Sequence, residues 1–176
     1  TALILFSSQC AVTQKALLVC GILSSLLYVV LNVFIPMLWP ANNCASQTVS
    51  ELSAIGAPTR PIWLWLCFLY TLLMIVFAWG VWKSAAKNHS LRIAGALLIA
   101  YAALGVIWPF APMHLREVLA AGGGTISDKM HIALAVVTEI LFLLALGFTA
   151  AALGKRFRFY SIATFVILLF LSLIHI

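Results

Sequence analysis

The chain has 176 residues, of which 65% are hydrophobic and only 8% charged, with a formal net charge of +6. So few charged side chains cannot cover a soluble domain of this length, and 176 residues leave no room for a soluble domain beside a helical bundle. The basic residues fall in short stretches between apolar blocks and form no continuous stripe, which excludes a nucleic-acid partner.

In chain order, residues 1–14 have neither the charge nor the length of a complete targeting segment, and they are set apart as an N-terminal segment foreign to the native chain. Residues 15–176 read as one all-α, polytopic transmembrane helical bundle domain. Its apolar blocks reach the ~20 residues that cross a bilayer core. Inside lipid each backbone group must be satisfied within its own segment, so the blocks are helices. Span 1 covers 16–38, after Lys15 and before Trp39-Pro40. Span 2 covers 61–82, with Pro61 in the first turn, where its missing N–H is harmless. Span 3 covers 93–110 and closes on Trp108-Pro109, span 4 covers 130–153, and span 5 covers 160–176. Span 5 has only about 17 residues and no closing anchor, and 171–176 resembles translated adapter sequence. The expectation is a truncated fifth span and six spans in the intact protein.

Lys15, Lys83, Lys87, Arg92, Lys155, Arg156 and Arg158 flank one side of these spans, and Arg60, Arg116 and Lys129 the other. Seven basic residues against three make the first side cytoplasmic. The N-terminus is then inside, and loops 41–60 and 111–129 are outside a bacterial plasma (inner) membrane. Trp39, Trp63, Trp65 and Trp108 would anchor the outer interface, and Trp79 and Trp82 the inner one. Ala96, Ala100, Ala103 and Gly105 on span 3, and Ala145, Gly147, Ala151 and Gly154 on span 4, would let helix backbones approach closely. Cys10, Cys20, Cys44 and Cys67 show no CxxC pairing and no metal spacing, so a disulfide framework is not expected.

All four acids, Glu51, Glu117, Asp128 and Glu139, lie in the outer loops or within a span, so chemistry belongs at the outer end. Thr48 with Glu51, and Thr125 with Asp128, have capping-box spacing. Asp128, His131, Ala135 and Glu139 share one broad face of span 4, with Glu139 about 16 Å deeper than Asp128 at 1.5 Å per residue. A carboxylate there is costly unless it is paired, protonated or in contact with water, so Glu139 should face the bundle interior, with Asn32 or Tyr101 as partners. The candidate polar pocket is Ser46, Ser50, Glu51, Arg60, His114, Arg116, Asp128, His131 and Glu139. No cofactor is expected outright. His114, Asp128 and His131 would supply three ligands and an open position for zinc, two histidines suit haem less well, and Ser50 with His131 would need the two loops to fold together.

Those residues also carry a resemblance. Ser46-Gln47-Thr48-Val49-Ser50-Glu51-Leu52 followed by Gly56-Ala57-Pro58-Thr59-Arg60 resembles the first-loop signature of the bacterial membrane family known as domain of unknown function 998. So do Met113-His114-Leu115-Arg116-Glu117, Gly124-Thr125, Asp128-Lys129-Met130-His131 and Phe157-Arg158-Phe159-Tyr160-Ser161. The likeness spans about Lys15 to Leu169. It implies about six helices and no particular activity. The leading expectation is a protein that binds or moves a small amphiphile, a lipid or an ion through an outward-facing pocket. The alternatives are a membrane-embedded hydrolase with a His/Asp metal site and a structural membrane subunit.

Overall fold

The computed structural model describes the backbone of residues 2–43 and 46–174 and the side chains of residues 13–43 and 46–170. Cys44 and the side chain of Cys10 lie outside the described residues, as do the side chains of the 171–176 tail.

Helix α1 (Ala2–Phe34) runs through the N-terminal segment and into the first apolar block without a break. Ile35 N–H still donates to Leu31 O at 3.1 Å. Pro36, which has no N–H to give, then converts the chain to a 3-10 turn, Pro36–Leu38. Helix α2 (Arg60–Ser84) carries Pro61 in its first turn as expected. Helix α3 (His89–Gly105) starts four residues before the apolar block because Asn88 caps it, accepting the Leu91 N–H at 3.1 Å. A 3-10 turn, Trp108–Phe110, follows it. Helix α4 (Arg116–Ala120) is little more than one turn, and Gly122, at φ +80°, ends it in the left-handed conformation. Helices α5 (Ile126–Ala152) and α6 (Lys155–Ile174) complete the chain, each beginning four or five residues before its predicted span. In all three helices the early start is a polar or basic first turn, which hydropathy leaves out.

Among the described residues, four stretches are long and apolar enough to cross a membrane: Thr13–Leu38, Arg60–Ser84, His89–Phe110 and Ile126–Ala152. These coincide with the first four predicted spans. α6 opens with Lys155, Arg156 and Arg158 and is not one of the four. Each long helix packs mainly on its neighbour in sequence: α1 on α2, α2 on α3, α3 on α5 and α5 on α6.

The burial pattern suits an apolar solvent. Large side chains such as Val29, Phe34, Ile140 and Ile167 are exposed, while Ser24, Thr71, Thr138 and Ser161 are buried. One apolar cluster joins Leu31, Ile35, Leu52 and Trp63 at the end that carries loops 41–59 and 111–125. A second joins Ala78, Val81, Leu98 and Ala145 toward the other end. There Lys83 lies over the Trp79 ring at 5.8 Å and Arg92 over Trp82 at 5.3 Å.

The close-packing stripe of α3 is only partly the expected one: Gly105 does pack against α2, where an added Cβ would meet the Thr71 side chain at 3.0 Å, but the three alanines do not lie on it. Ala94, Gly95, Leu98 and Ala102 are buried, whereas Ala96, Ala100 and Ala103 are exposed. A Cβ built on Gly95 would meet the Trp82 backbone at 2.8 Å. On α5, Ala145 is buried and Gly147 and Ala151 are exposed, and Gly154 falls past the helix end, exposed in the turn before α6. Small residues surround both helices, so spacing alone fits more than one face.

Candidate functional site

Both predicted capping boxes form, and each acid also takes a partner from residues 114–116: Glu51 across from the first loop, Asp128 within the second. In the first loop Glu51, only 1% exposed, accepts the Thr48 N–H at 3.1 Å and so caps the 3-10 helix Val49–Ser53. Gln47 Nε2 donates to the same carboxylate at 3.3 Å. Arg116, from the second loop, then donates from Nε to Oε1 at 2.9 Å and to Oε2 at 3.1 Å, and from Nη2 to Oε1. Burial on its own would push the Glu51 carboxyl up. The Arg116 and Thr48 hydrogen bonds, the Arg116 charge and Gln47 outweigh it and hold the carboxyl below its ordinary value. The hydrogen bond to Glu51 raises Arg116 in turn.

In the second loop Asp128 accepts the Thr125 N–H at 2.7 Å and caps α5. It also accepts the His114 N–H at 2.7 Å and the His114 Nδ1–H at 3.0 Å. Ile55 N–H donates to Met113 O at 2.8 Å, and Ile55 and His114 form an isolated parallel bridge. Residues 113–116 are therefore pinned on one side to the first loop and on the other to the start of α5. We call this arrangement the clasp.

Beneath the clasp lies a cavity of about 370 Å³ between α1, α2, α3 and α5. Ser50, Ser53 and Arg60 stand at its mouth, and Arg60 Nη1 donates to Ser53 O. Trp63, Phe68, Trp108 and Met74 supply apolar wall. Tyr28, Tyr70, Tyr101, Thr138 and Glu139 make a deeper polar zone. The Tyr70 and Tyr101 hydroxyls share a hydrogen bond at 3.1 Å, and the Tyr28 and Tyr70 rings lie 5.6 Å apart. Along α2, from Arg60 to Met74, the lining descends about 21 Å at 1.5 Å per residue.

The sequence-predicted pocket residues thus divide. Ser50, Arg60, His131 and Glu139 line the cavity. Glu51, His114, Arg116 and Asp128 build the clasp instead, and Ser46 is exposed, its N–H donating to Asn43 O at 3.0 Å. Asn32 spends its amide on Tyr28 O at 2.7 Å and Tyr101 pairs with Tyr70, so Glu139 is hydrogen-bonded to neither. No hydrogen bond joins Ser50 to His131, whose Nδ1 donates to Ala111 O at 2.8 Å. Among the described residues, no group of three His, Cys, Asp or Glu side chains is placed to hold a metal ion. Cys20 and Cys67 are free thiols. Trp63, 7% exposed, and Trp108, whose ring meets that of His131 edge-on at 4.6 Å, face the cavity rather than serving as lipid anchors alone. Trp65, 75% exposed, is not among the cavity-lining residues.

Tyr28 and Tyr70 were not anticipated from sequence, and Tyr101 was anticipated only as a partner of Glu139. Tyr70 and Tyr101 are 31 residues apart on antiparallel helices. The available signal was that Tyr101 is a lone hydroxyl in span 3 and that Tyr70, with Thr71 beside it, makes the one polar step in span 2.

Residues 22–176 match the family model described as "Protein of unknown function (DUF998)". The chain belongs to this family. No curated protein and no solved structure matches it. The DUF998 match starts seven residues after Lys15 and extends beyond Leu169, and it takes in the whole clasp and all the cavity-lining residues. The loop signatures that carried the resemblance are thus largely clasp residues, with Ser50, Arg60 and His131 contributed to the cavity.

Proposed function

We propose that this DUF998 protein holds a small amphiphile in the cavity under the clasp. In this reading it is a multi-pass protein of a bacterial plasma membrane, with the clasp end outward and α6 as a fifth span of about six. The seven-to-three distribution of basic residues supports that orientation.

The observation that carries the reading is the lining of the cavity. Its volume falls within the ~300–1,000 Å³ common for small-molecule sites, and apolar wall alternates with a few convergent polar groups. Among the described residues Arg60 makes no ion pair, so the mouth keeps a cation for a polar or anionic group. A purely structural subunit would not need to leave such a space, because helices in lipid gain stability by filling it.

Native mass spectrometry of the purified protein should reveal a bound lipid or other amphiphile. A brominated amphiphile should quench tryptophan fluorescence saturably, and the double variant Trp63→Phe/Trp108→Phe should lose most of that saturable signal. Bare protein, together with quenching that never saturates and is unchanged in the variant, would rule the reading out.

A further inference from the structure

His131 is the cavity residue whose surroundings say most about the ligand. It is only 6% exposed, and its Nε2 is buried without a hydrogen-bond partner. The other ring nitrogen is committed: Nδ1 lies 2.8 Å from Ala111 O, and a carbonyl oxygen can only accept, so Nδ1 carries the proton. In the neutral ring Nε2 is then a bare lone pair. Trp108 packs edge-on against the imidazole, with ring centres 4.6 Å apart. Turning the ring over would break the Ala111 bond and disturb this packing.

An imidazolium would instead need an acceptor for an Nε2 proton. The nearest acid along α5, Asp128, is already engaged by His114 and Thr125 through both oxygens. Glu139 is eight residues further along, about 12 Å of helix rise. Arg60 puts a cation into the same cavity. Leaving a buried acceptor unmatched is destabilising, and a donor on the ligand would recover that loss.

We propose that His131 Nε2 is the acceptor for a hydroxyl group of the bound amphiphile, so that the ligand is a hydroxylated one such as a long-chain or isoprenoid alcohol. This rests on the amphiphile reading above and names its polar end. The hydroxyl would lie at the level of Trp108, below Arg60, with the hydrocarbon along Phe68 and Met74.

The test uses matched probes on the full chain in detergent or nanodiscs. Dodecanol has the donor, and its methyl ether has the same chain without it. Competition against the brominated amphiphile reads both affinities. The unaltered protein should bind the alcohol roughly tenfold more tightly than the ether, and His131→Phe should reduce that ratio to about one. Equal binding of the two by the unaltered protein overturns the hydroxyl assignment while the amphiphile reading stands. Tighter binding of dodecanoate than of dodecanol that persists in Arg60→Gln also overturns it, because the anion would then be held by a donor on the ring and not by the Arg60 cation. Failure of every probe to compete, with no amphiphile co-purifying, removes the amphiphile reading and this inference with it. The alcohol-to-ether ratio is measured on unaltered protein, so the test survives a His131→Phe variant that fails to fold.

Discussion

Glu51 and Asp128 each stand three residues after a threonine and each accept that threonine's N–H, at 3.1 and 2.7 Å. Each then takes a second partner from residues 114–116, which makes Glu51 both a helix cap and an inter-loop bond and makes Asp128 both a helix cap and a tie between the second loop and α5. Thr125 contributes its hydroxyl as well, at 3.1 Å from Asp128, so Thr125→Ala should cost about 1 kcal/mol in unfolding experiments. Arg116→Ala should lower the melting temperature more than Glu51→Gln. The first leaves a buried carboxylate short of its cation, and the second leaves a half-exposed guanidinium that water can serve. The same pair sets a pH dependence. The Glu51 carboxyl is held below its ordinary 4.5. Its contribution is therefore complete above that value and is lost as the pH falls through the lower folded value. A cysteine placed at Leu52, only 2% exposed, should resist a pyridyl disulfide, which reacts with thiols in acid as well as at neutrality, at about pH 7 and lose that protection when labelled at about pH 3. Deeper in the cavity, Glu139→Gln keeps shape and polarity and should change stability by less than about 1 kcal/mol. Glu139→Lys places a cation near mid-membrane at about 2.5–3.5 kcal/mol, which should appear as reduced membrane yield.

At the scale of helices, Gly95 on α3 sits directly against the Trp82 backbone of α2, where an added Cβ would come within 2.8 Å. Gly95→Leu should therefore force the two helices apart and destabilise by about 1–3 kcal/mol or more. Ala96→Leu, one position round and exposed, should stay within about 0.5 kcal/mol. Chemical unfolding of the two variants distinguishes the buried stripe from its neighbour, and equal effects would contradict it. This contrast also marks how far helices were legible. Four helices and their Trp-Pro or proline boundaries follow from hydropathy, because a bilayer-length apolar block has one backbone solution. The facing side of each helix does not, because nearly every side chain is apolar and packing among small residues carries no periodic signature. The capping boxes were legible for the opposite reason: they depend on two residues three apart, not on the rest of the fold.

For the molecule as a whole, the candidate site was legible in its parts and not in its grouping. The face bearing His131 and Glu139 follows from helical geometry. That Glu51, Arg116, His114 and Asp128 serve a clasp rather than a pocket depends on loop partners 14 and 65 residues apart. Orientation makes a separate prediction. A cysteine at exposed Lys87 should resist an impermeant thiol reagent applied to intact cells, while one at exposed Ala121 should react. The reverse pattern would invert the molecule in its membrane. The 65-residue separation of Glu51 from Arg116 also bears on biogenesis. During synthesis Glu51 leaves the ribosome well before its cation exists, since chains are made from the N-terminus. In the proposed topology the α1–α2 hairpin would therefore enter the membrane with that acid still hydrated, and the first loop would become fully ordered only after α3 had crossed and delivered Arg116. Closure of the clasp is thus a late assembly event, and a chain arrested after α2 should display residues 46–59 to proteases that the finished protein keeps out.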